Sequence, residues 1–108
     1  LPAVEVGLAV LPETAVEQVF PYLDRIGFVQ LLAVSPGFSG QKFQEYVLEK
    51  IRTLRAKDQD VIIEVDGGIT LEVAGRVKEA GANVIVSSSY IWNYPSPREA
   101  FLSLKRIL

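Results

Sequence analysis

A fourfold alternation constrains this chain more than any other feature. Short runs rich in Val, Ile and Leu occupy residues 3–10 (AVEVGLAV), 28–35 (FVQLLAVS), 61–65 (VIIEV) and 83–87 (NVIVS). Each is followed by a stretch with helical spacing. Short apolar runs separated by amphipathic stretches read as strands of a parallel sheet, buried on both faces.

The intervening stretches carry their own punctuation. Val16, Val19, Phe20 and Leu23 fall at i, i+3, i+4 and i+7. Pro21 lies inside that pattern and predicts a kink or a break, because it lacks an N–H and crowds the preceding turn. Phe43, Val47, Leu48, Ile51 and Leu54 form the stripe of a second helix. A third begins after Thr70, a good N-cap, and stops at Gly81. Ser96-Pro97-Arg98-Glu99 places Ser at N-cap, Pro at N1 and Glu at N3, which predicts a capped helix over residues 97–107.

The order is βαβαβαβα, which implies right-handed crossovers and a parallel sheet. The 108 residues are read as one domain of four units, about 27 residues each. A (β/α)8 barrel of ~200–250 residues has twice as many such units. The expected fold class is therefore α/β, and four βα units amount to half of a TIM-type (β/α)8 barrel, a half-barrel. A small open α/β sheet is the alternative, and periodicity alone does not separate the two. A half-barrel leaves two unpaired edges and an uncovered inner face. That face is expected around Leu8, Leu31 and Ile62, or at the opposite parity.

Composition excludes several functions. The chain has no Cys and no His, so it supplies neither thiolate chemistry nor an imidazole base or ligand. The absence of Cys fits a reducing compartment. The formal net charge is −2, with no basic stripe that would point to nucleic acid. No apolar run approaches the ~20 residues of a membrane span, and no leader pattern opens the chain. Without Met, Leu1 is no translation start, so the chain is expected to be a processed, trimmed or excised piece of something longer.

Three clusters follow strands, where parallel α/β sheets build their sites. The first is Ser35-Pro36-Gly37-Phe38-Ser39-Gly40-Gln41-Lys42-Phe43. Consecutive N–H groups in such a loop can cradle an anion. An ordinary Gly/Pro turn is the plain alternative. The second is Glu64-Val65-Asp66-Gly67-Gly68-Ile69-Thr70. Alternation puts Ile62, Glu64 and Asp66 on one face, and Ile63, Val65 and Gly67 on the other. Asp66 ends the strand, and the two glycines precede a helix N-terminus suited to anions. Asp66 reads equally as a turn or capping residue. Glu64 reads as a hydrogen-bonded interior carboxylate. The third is Ser87-Ser88-Ser89-Tyr90-Ile91-Trp92, three hydroxyls leading into a short helical turn. It reads as a phosphate grip or as a polar loop.

In combination, VSPGFSGQKF, IEVDGGIT and EAGANVIVSSSYIW resemble the second half of ribulose-phosphate 3-epimerases. The earlier GLAVLPETAVEQVFPYL is similar to that family as well, so the likeness runs through essentially the whole chain in order. The resemblance implies an isomerase of the pentose phosphate pathway, interconverting ribulose 5-phosphate and xylulose 5-phosphate by moving a proton at C3. It implies two aspartates on opposite faces of the substrate. A divalent metal (zinc, iron, manganese or cobalt), held by two His and both Asp, is implied to stabilise the enediolate. Asp66 matches the second aspartate, as acid or base and as metal ligand. The phosphate is implied to sit among Gly37, Phe38, Ser39, Gly40, Gly67, Gly68, Ser88 and Ser89. Leu32 matches a position near substrate where the family usually carries Met.

The departures are Ser39 and Ser88 in place of glycines, Leu11 in place of a frequent Asn, and Ala15 in place of a Pro. Ser88 adds a Cβ where backbone normally approaches phosphate. The family's other aspartate and both histidines belong to early strands that this chain lacks. The expected partners are a sugar phosphate and the missing N-terminal half, or a second copy that closes the barrel as an oligomer. No nucleic acid or membrane partner is expected, and the expected location is cytoplasmic. Non-catalytic alternatives are a half-barrel that needs a partner, or a sugar-phosphate-binding relative without turnover. Taken alone, the 108 residues are expected to be inactive.

Overall fold

The computed structural model describes residues 4–34 and 42–108. Its order is β1 (Leu8–Val10), a 3-10 helix (Val16–Tyr22), β2 (Phe28–Leu32), α1 (Val47–Lys57), β3 (Ile62–Asp66), α2 (Leu71–Ala80), β4 (Val84–Val86), α3 (Ser89–Trp92) and α4 (Pro97–Ile107). The four strands form one sheet in sequence order, β1-β2-β3-β4. Every neighbouring pair is parallel. This is half of a (β/α)8 barrel.

Register aligns Val10 with Leu31, Leu31 with Val65 and Val65 with Ile85. One face of the sheet, carrying Val10, Val29, Leu31, Ile63 and Val65, is fully packed beneath the helices. Val47, Ile51 and Leu54 of α1 and Ala74 and Val77 of α2 supply the opposing layer. α1 lies between the 3-10 helix and α2, and α2 lies between α1 and α4. The other face carries Phe28, Gln30 and Leu32 of β2, Ile62, Glu64 and Asp66 of β3, and Val84 and Val86 of β4. Ile62, Val84 and Val86 remain 44%, 39% and 37% exposed, so among the described residues no element covers that face.

The expected parity needs correction. Ile62 is on the open face, but Leu31 is completely buried on the helix side, and half-buried Leu8 packs against the same core. Leu31 aligns with Val65, whereas Ile62 aligns with Phe28, so Leu31 and Ile62 lie on opposite faces.

Strand lengths differ as well. β1 starts at Leu8, because only Leu8, Ala9 and Val10 find partners on β2. Val4 and Val6 stay largely exposed. β3 is displaced by one residue and takes in Asp66, which aligns with both Leu32 and Val86. The segment around Pro21 does not kink an α-helix. It is a 3-10 helix from its start, with Val16 and Val19 buried. The tighter i→i+3 pattern keeps such a helix short.

Other local readings match the structure. Thr70 Oγ1 accepts from Val73 N at 3.3 Å, and Gly81 ends α2 at φ +124°. Ser96 Oγ accepts from Glu99 N at 3.3 Å, with Pro97 in the first turn of α4.

Candidate active site

The C-terminal ends of the strands gather the chemistry. Asp66 is the last residue of β3, half-buried on the open face. Burial, followed by the Glu64 carboxylate on the same face, pushes the Asp66 carboxyl above its ordinary value. One layer down, Glu64 Oε2 accepts from Gln30 Nε2 at 2.7 Å. Register brings Gln30 and Glu64 side by side, so an apolar-looking run hides an interior polar pair. The hydrogen-bonded character expected of Glu64 is present; its partner on β2 was not foreseen. A polar residue at the matching layer of each of two neighbouring strands was the available signal.

The two glycines after Asp66 are demanded by backbone and packing together. Gly67 has φ +121° and Gly68 φ +67°. A Cβ on Gly67 would lie 2.8 Å from Val34 Cγ2, and one on Gly68 would lie 2.3 Å from Phe43 N. The loop after β3 therefore lies directly on the backbone that leads into α1. Ala33 N donates to Asp66 O at 2.8 Å, and Gln44 N donates to Ala33 O at 3.0 Å. These bonds tie the end of β2, the end of β3 and the approach to α1 into one unit.

Ser87 donates its hydroxyl to Ile69 O at 2.9 Å, joining the end of β4 to the loop after β3. Ser88 is exposed and Ser89 begins α3. Ser88 has φ −123°, so its backbone does not require glycine. Gly68 and Ser89 line one open groove of about 510 Å³ with Thr70, Tyr90, Asn93 and Arg76. Asp66, Gly67 and Ser88 do not line it. Gly37, Phe38, Ser39 and Gly40 lie outside the described residues. Leu32 is half-buried in the Asp66 layer of the open face.

Two cations not anticipated from sequence organise the framework. Lys50 Nζ donates to the carbonyls of Leu11, Pro12 and Thr14 at 3.1, 2.7 and 2.6 Å, fixing the loop after β1. Burial pushes its ammonium below the ordinary value, against the raising effect of Glu13 and Glu17. At the opposite end of the sheet, Arg55 Nη1 donates to Val61 O at 2.7 Å, while Nη2 donates to Gly81 O at 2.8 Å and Asn83 Oδ1 at 2.6 Å. Asn83 Oδ1 also accepts from Ile63 N at 2.9 Å. A basic residue on an amphipathic helix looks solvated in sequence, and only the neighbouring turns reveal such a hub.

Residues 3–92 match the model of the ribulose-phosphate 3-epimerase family. The chain belongs to that family. It is 37% identical over 100 residues to the ribulose-phosphate 3-epimerase of Schizosaccharomyces pombe, covering 93% of this chain and 44% of that protein. The cytoplasmic isoform of Oryza sativa subsp. japonica is 41% identical over 106 residues, covering 93% and 45%. The Bacillus subtilis ribulose-phosphate 3-epimerase is 37% identical over 107 residues, covering 94% and 49%. The chain thus spans a little under half the length of these curated relatives. A solved structure of thiamine phosphate pyrophosphorylase from Bacteroides thetaiotaomicron superposes with a TM-score of 0.61 at 22% identity. It covers 99% of this chain and 54% of that one, a likeness of fold alone.

The epimerase family generally uses a divalent metal, and the residues of this chain do not fit one by themselves. The sequence has no His. Among the described residues, no three His, Cys, Asp or Glu side chains converge where they could hold an ion. Asp66 offers one carboxylate, and the neighbouring Glu64 is engaged by Gln30. Among the described residues, no helix is long and apolar enough to cross a membrane.

Proposed function

We propose that this chain supplies the C-terminal half of a ribulose-phosphate 3-epimerase barrel, which interconverts ribulose 5-phosphate and xylulose 5-phosphate once the other half is in place. The observation that carries this reading is Asp66 at the end of β3. It is half-buried on the open face, beside Gly67 and Gly68, with its carboxyl pushed above the ordinary value. A carboxyl raised toward the working pH exchanges a proton with carbon more effectively than one ionised at all accessible pH. In this reading Asp66 removes or returns the C3 proton on one face of the substrate. The opposing acid must come from residues beyond this chain, because inversion at carbon needs a group on each face. Asp66 is also proposed as a metal ligand, but the remaining ligands must come from the same missing half. No step is derived through the ion.

The phosphate end is proposed to bind at Gly67, Gly68, Ser88 and Ser89, in and beside the groove next to the N-terminus of α2, with Gly37, Phe38, Ser39 and Gly40 as its further expected contacts. Positive-φ glycines there bring backbone close without a Cβ, as anion sites need. Cytoplasmic location belongs to the same proposal, in line with the rice relative's description.

The test is to express the complete protein and follow exchange of the C3 proton of ribulose 5-phosphate in D2O. Exchange that Asp66→Asn abolishes is expected. A folded complete protein without exchange, or an active Asp66→Asn variant, would sink the reading.

A second reading is a non-catalytic half-barrel or sugar-phosphate-binding relative that needs a partner half. The exposed Ile62, Val84 and Val86 favour some covering layer. It predicts stabilisation by ribulose 5-phosphate without exchange at C3. For the isolated chain, both readings predict self-association or weak folding in sedimentation and denaturant melts; a compact, stable monomer would count against the need for a second half.

A further inference from the structure

The groove containing Gly68 and Ser89 is also lined by an ion pair to which neither the core nor the proton transfer assigns a task. Arg76, in the second turn of α2, donates through Nη1 to Glu45 Oε1 at 2.7 Å and through Nη2 to Glu45 Oε2. Glu72, one turn earlier, approaches Arg76 Nη1 at 3.9 Å. Glu45 lies in the short stretch between residues 35–41 and α1. The pair therefore joins α2, which follows Gly67 and Gly68, to the chain that follows the first glycine-rich cluster.

The inner side of this junction is held by backbone. Gln44 N donates to Ala33 O at 3.0 Å. Phe43 lies so close to Gly68 that a Cβ there would come within 2.3 Å of Phe43 N. Residues 42–44 are thus pressed between the end of β2 and the loop after β3. The Arg76–Glu45 pair adds a side-chain tie on the solvent side of the same stretch.

The guanidinium is not poised as an anion ligand. Both Nη atoms face Glu45, and Glu72 adds a second negative charge. Exposed ion pairs contribute little to folding. A two-point Arg–carboxylate contact is nevertheless directional, and holds orientation better than a single contact. Loss of the pair should therefore appear in groove geometry before it appears in global stability.

We propose that Arg76 and Glu45 form a positioning clip, which holds residues 42–46 against α2 and sets the width of the groove that receives the phosphate end of the substrate. The assignment of that groove to phosphate rests on the function proposed above.

The experiment uses the complete protein with Arg76→Ala, Glu45→Ala, and the charge exchange Arg76→Glu with Glu45→Arg. The readouts are kcat and KM for ribulose 5-phosphate, inhibition by inorganic phosphate, melting temperature, and amide exchange at Gln44. Each single variant should raise KM and the phosphate inhibition constant about 3- to 10-fold. The kcat should stay within about 2-fold, and melting should shift by less than about 4 °C. The Gln44 amide should exchange faster, and the charge exchange should restore all of these values. Unchanged Gln44 exchange in Arg76→Ala, or no rescue by the charge exchange, would overturn the clip. Tighter phosphate inhibition in Glu45→Ala would overturn it too, by revealing Arg76 as a direct ligand. Amide exchange at Gln44 needs no ligand, so it decides the clip even if the wild-type protein neither turns over nor responds to phosphate, a result that would instead overturn the proposed active site.

Discussion

The two faces of the sheet are made from alternate residues of the same strands, yet they solve different problems. The face bearing Val29, Leu31, Ile63 and Val65 is sealed by the chain's own helices. The face bearing Ile62, Glu64, Asp66, Val84 and Val86 is not. The closed face holds apolar side chains alone. The open one mixes apolar surface with the Gln30–Glu64 pair and the carboxyl proposed for proton transfer. Stability and the proposed chemistry are thus divided by strand parity: a folding core lies on one side and the proposed reaction site on the other.

The sharpest way to break this division is to change one residue on each side. In the complete protein, Asp66→Asn should lower turnover on the order of 10²- to 10⁴-fold, the usual contribution of a positioned acid or base. Its circular dichroism spectrum should remain unchanged. A variant within tenfold of wild type would remove Asp66 from the mechanism.

Next in size is the closed face. Leu31→Ala should cost about 2–5 kcal/mol in denaturant unfolding, because a fully buried leucine leaves a cavity. In the isolated chain, kept dilute enough to be monomeric, Ile62→Ser on the open face should change stability by no more than about 0.5 kcal/mol. Equal costs would show that the open face is covered in solution.

Arg55→Met probes the end of the sheet opposite the proposed site. It takes the Arg55 donor from the carbonyls of Val61 and Gly81, leaves Asn83 Oδ1 with Ile63 N alone, and should cost about 1–3 kcal/mol. The measurement is an unfolding midpoint, with turnover per folded molecule unchanged in the complete protein. Loss of turnover without loss of stability would contradict the division of roles.

The smallest effect concerns pH. Asp66 has a folded pKa raised above its unfolded value, so the folded state binds more protons between the two. The associated stability is fully present below about pH 3.9, the unfolded value, and is lost as pH rises through the folded one. In the metal-free chain, Asp66→Asn should therefore be slightly more stable than wild type at neutral pH and show no such gain in acid. Denaturant melts across that range check the sign. A destabilised variant at neutral pH would reveal a compensating cation or donor near the carboxylate.

Much of this molecule could be read before its coordinates. Caps at Thr70, Gly81 and Ser96 are local chemistry, settled by side chains within a few residues of the backbone they satisfy. Alternation put Ile62, Glu64 and Asp66 together for the same reason, since a strand's period is two. Lys50, Arg55 and the Gln30 partner of Glu64 were not legible. Their partners lie 28 to 39 positions away in the chain for Lys50→Leu11, Arg55→Asn83 and Gln30→Glu64 alike, so no local pattern announces them.

By itself, then, the sequence determined the succession of four strands each followed by a helical segment, the caps at Thr70, Gly81 and Ser96, the family and the sharing of one face by Glu64 and Asp66. Tertiary structure decided which face the helices cover. It limited β1 to Leu8, Ala9 and Val10, the residues that pair with β2, and it brought Gly68 onto Phe43 and Arg76 onto Glu45. The physical reason is that periodicity and capping are properties of a segment, whereas register, burial and ion pairing are properties of two segments meeting.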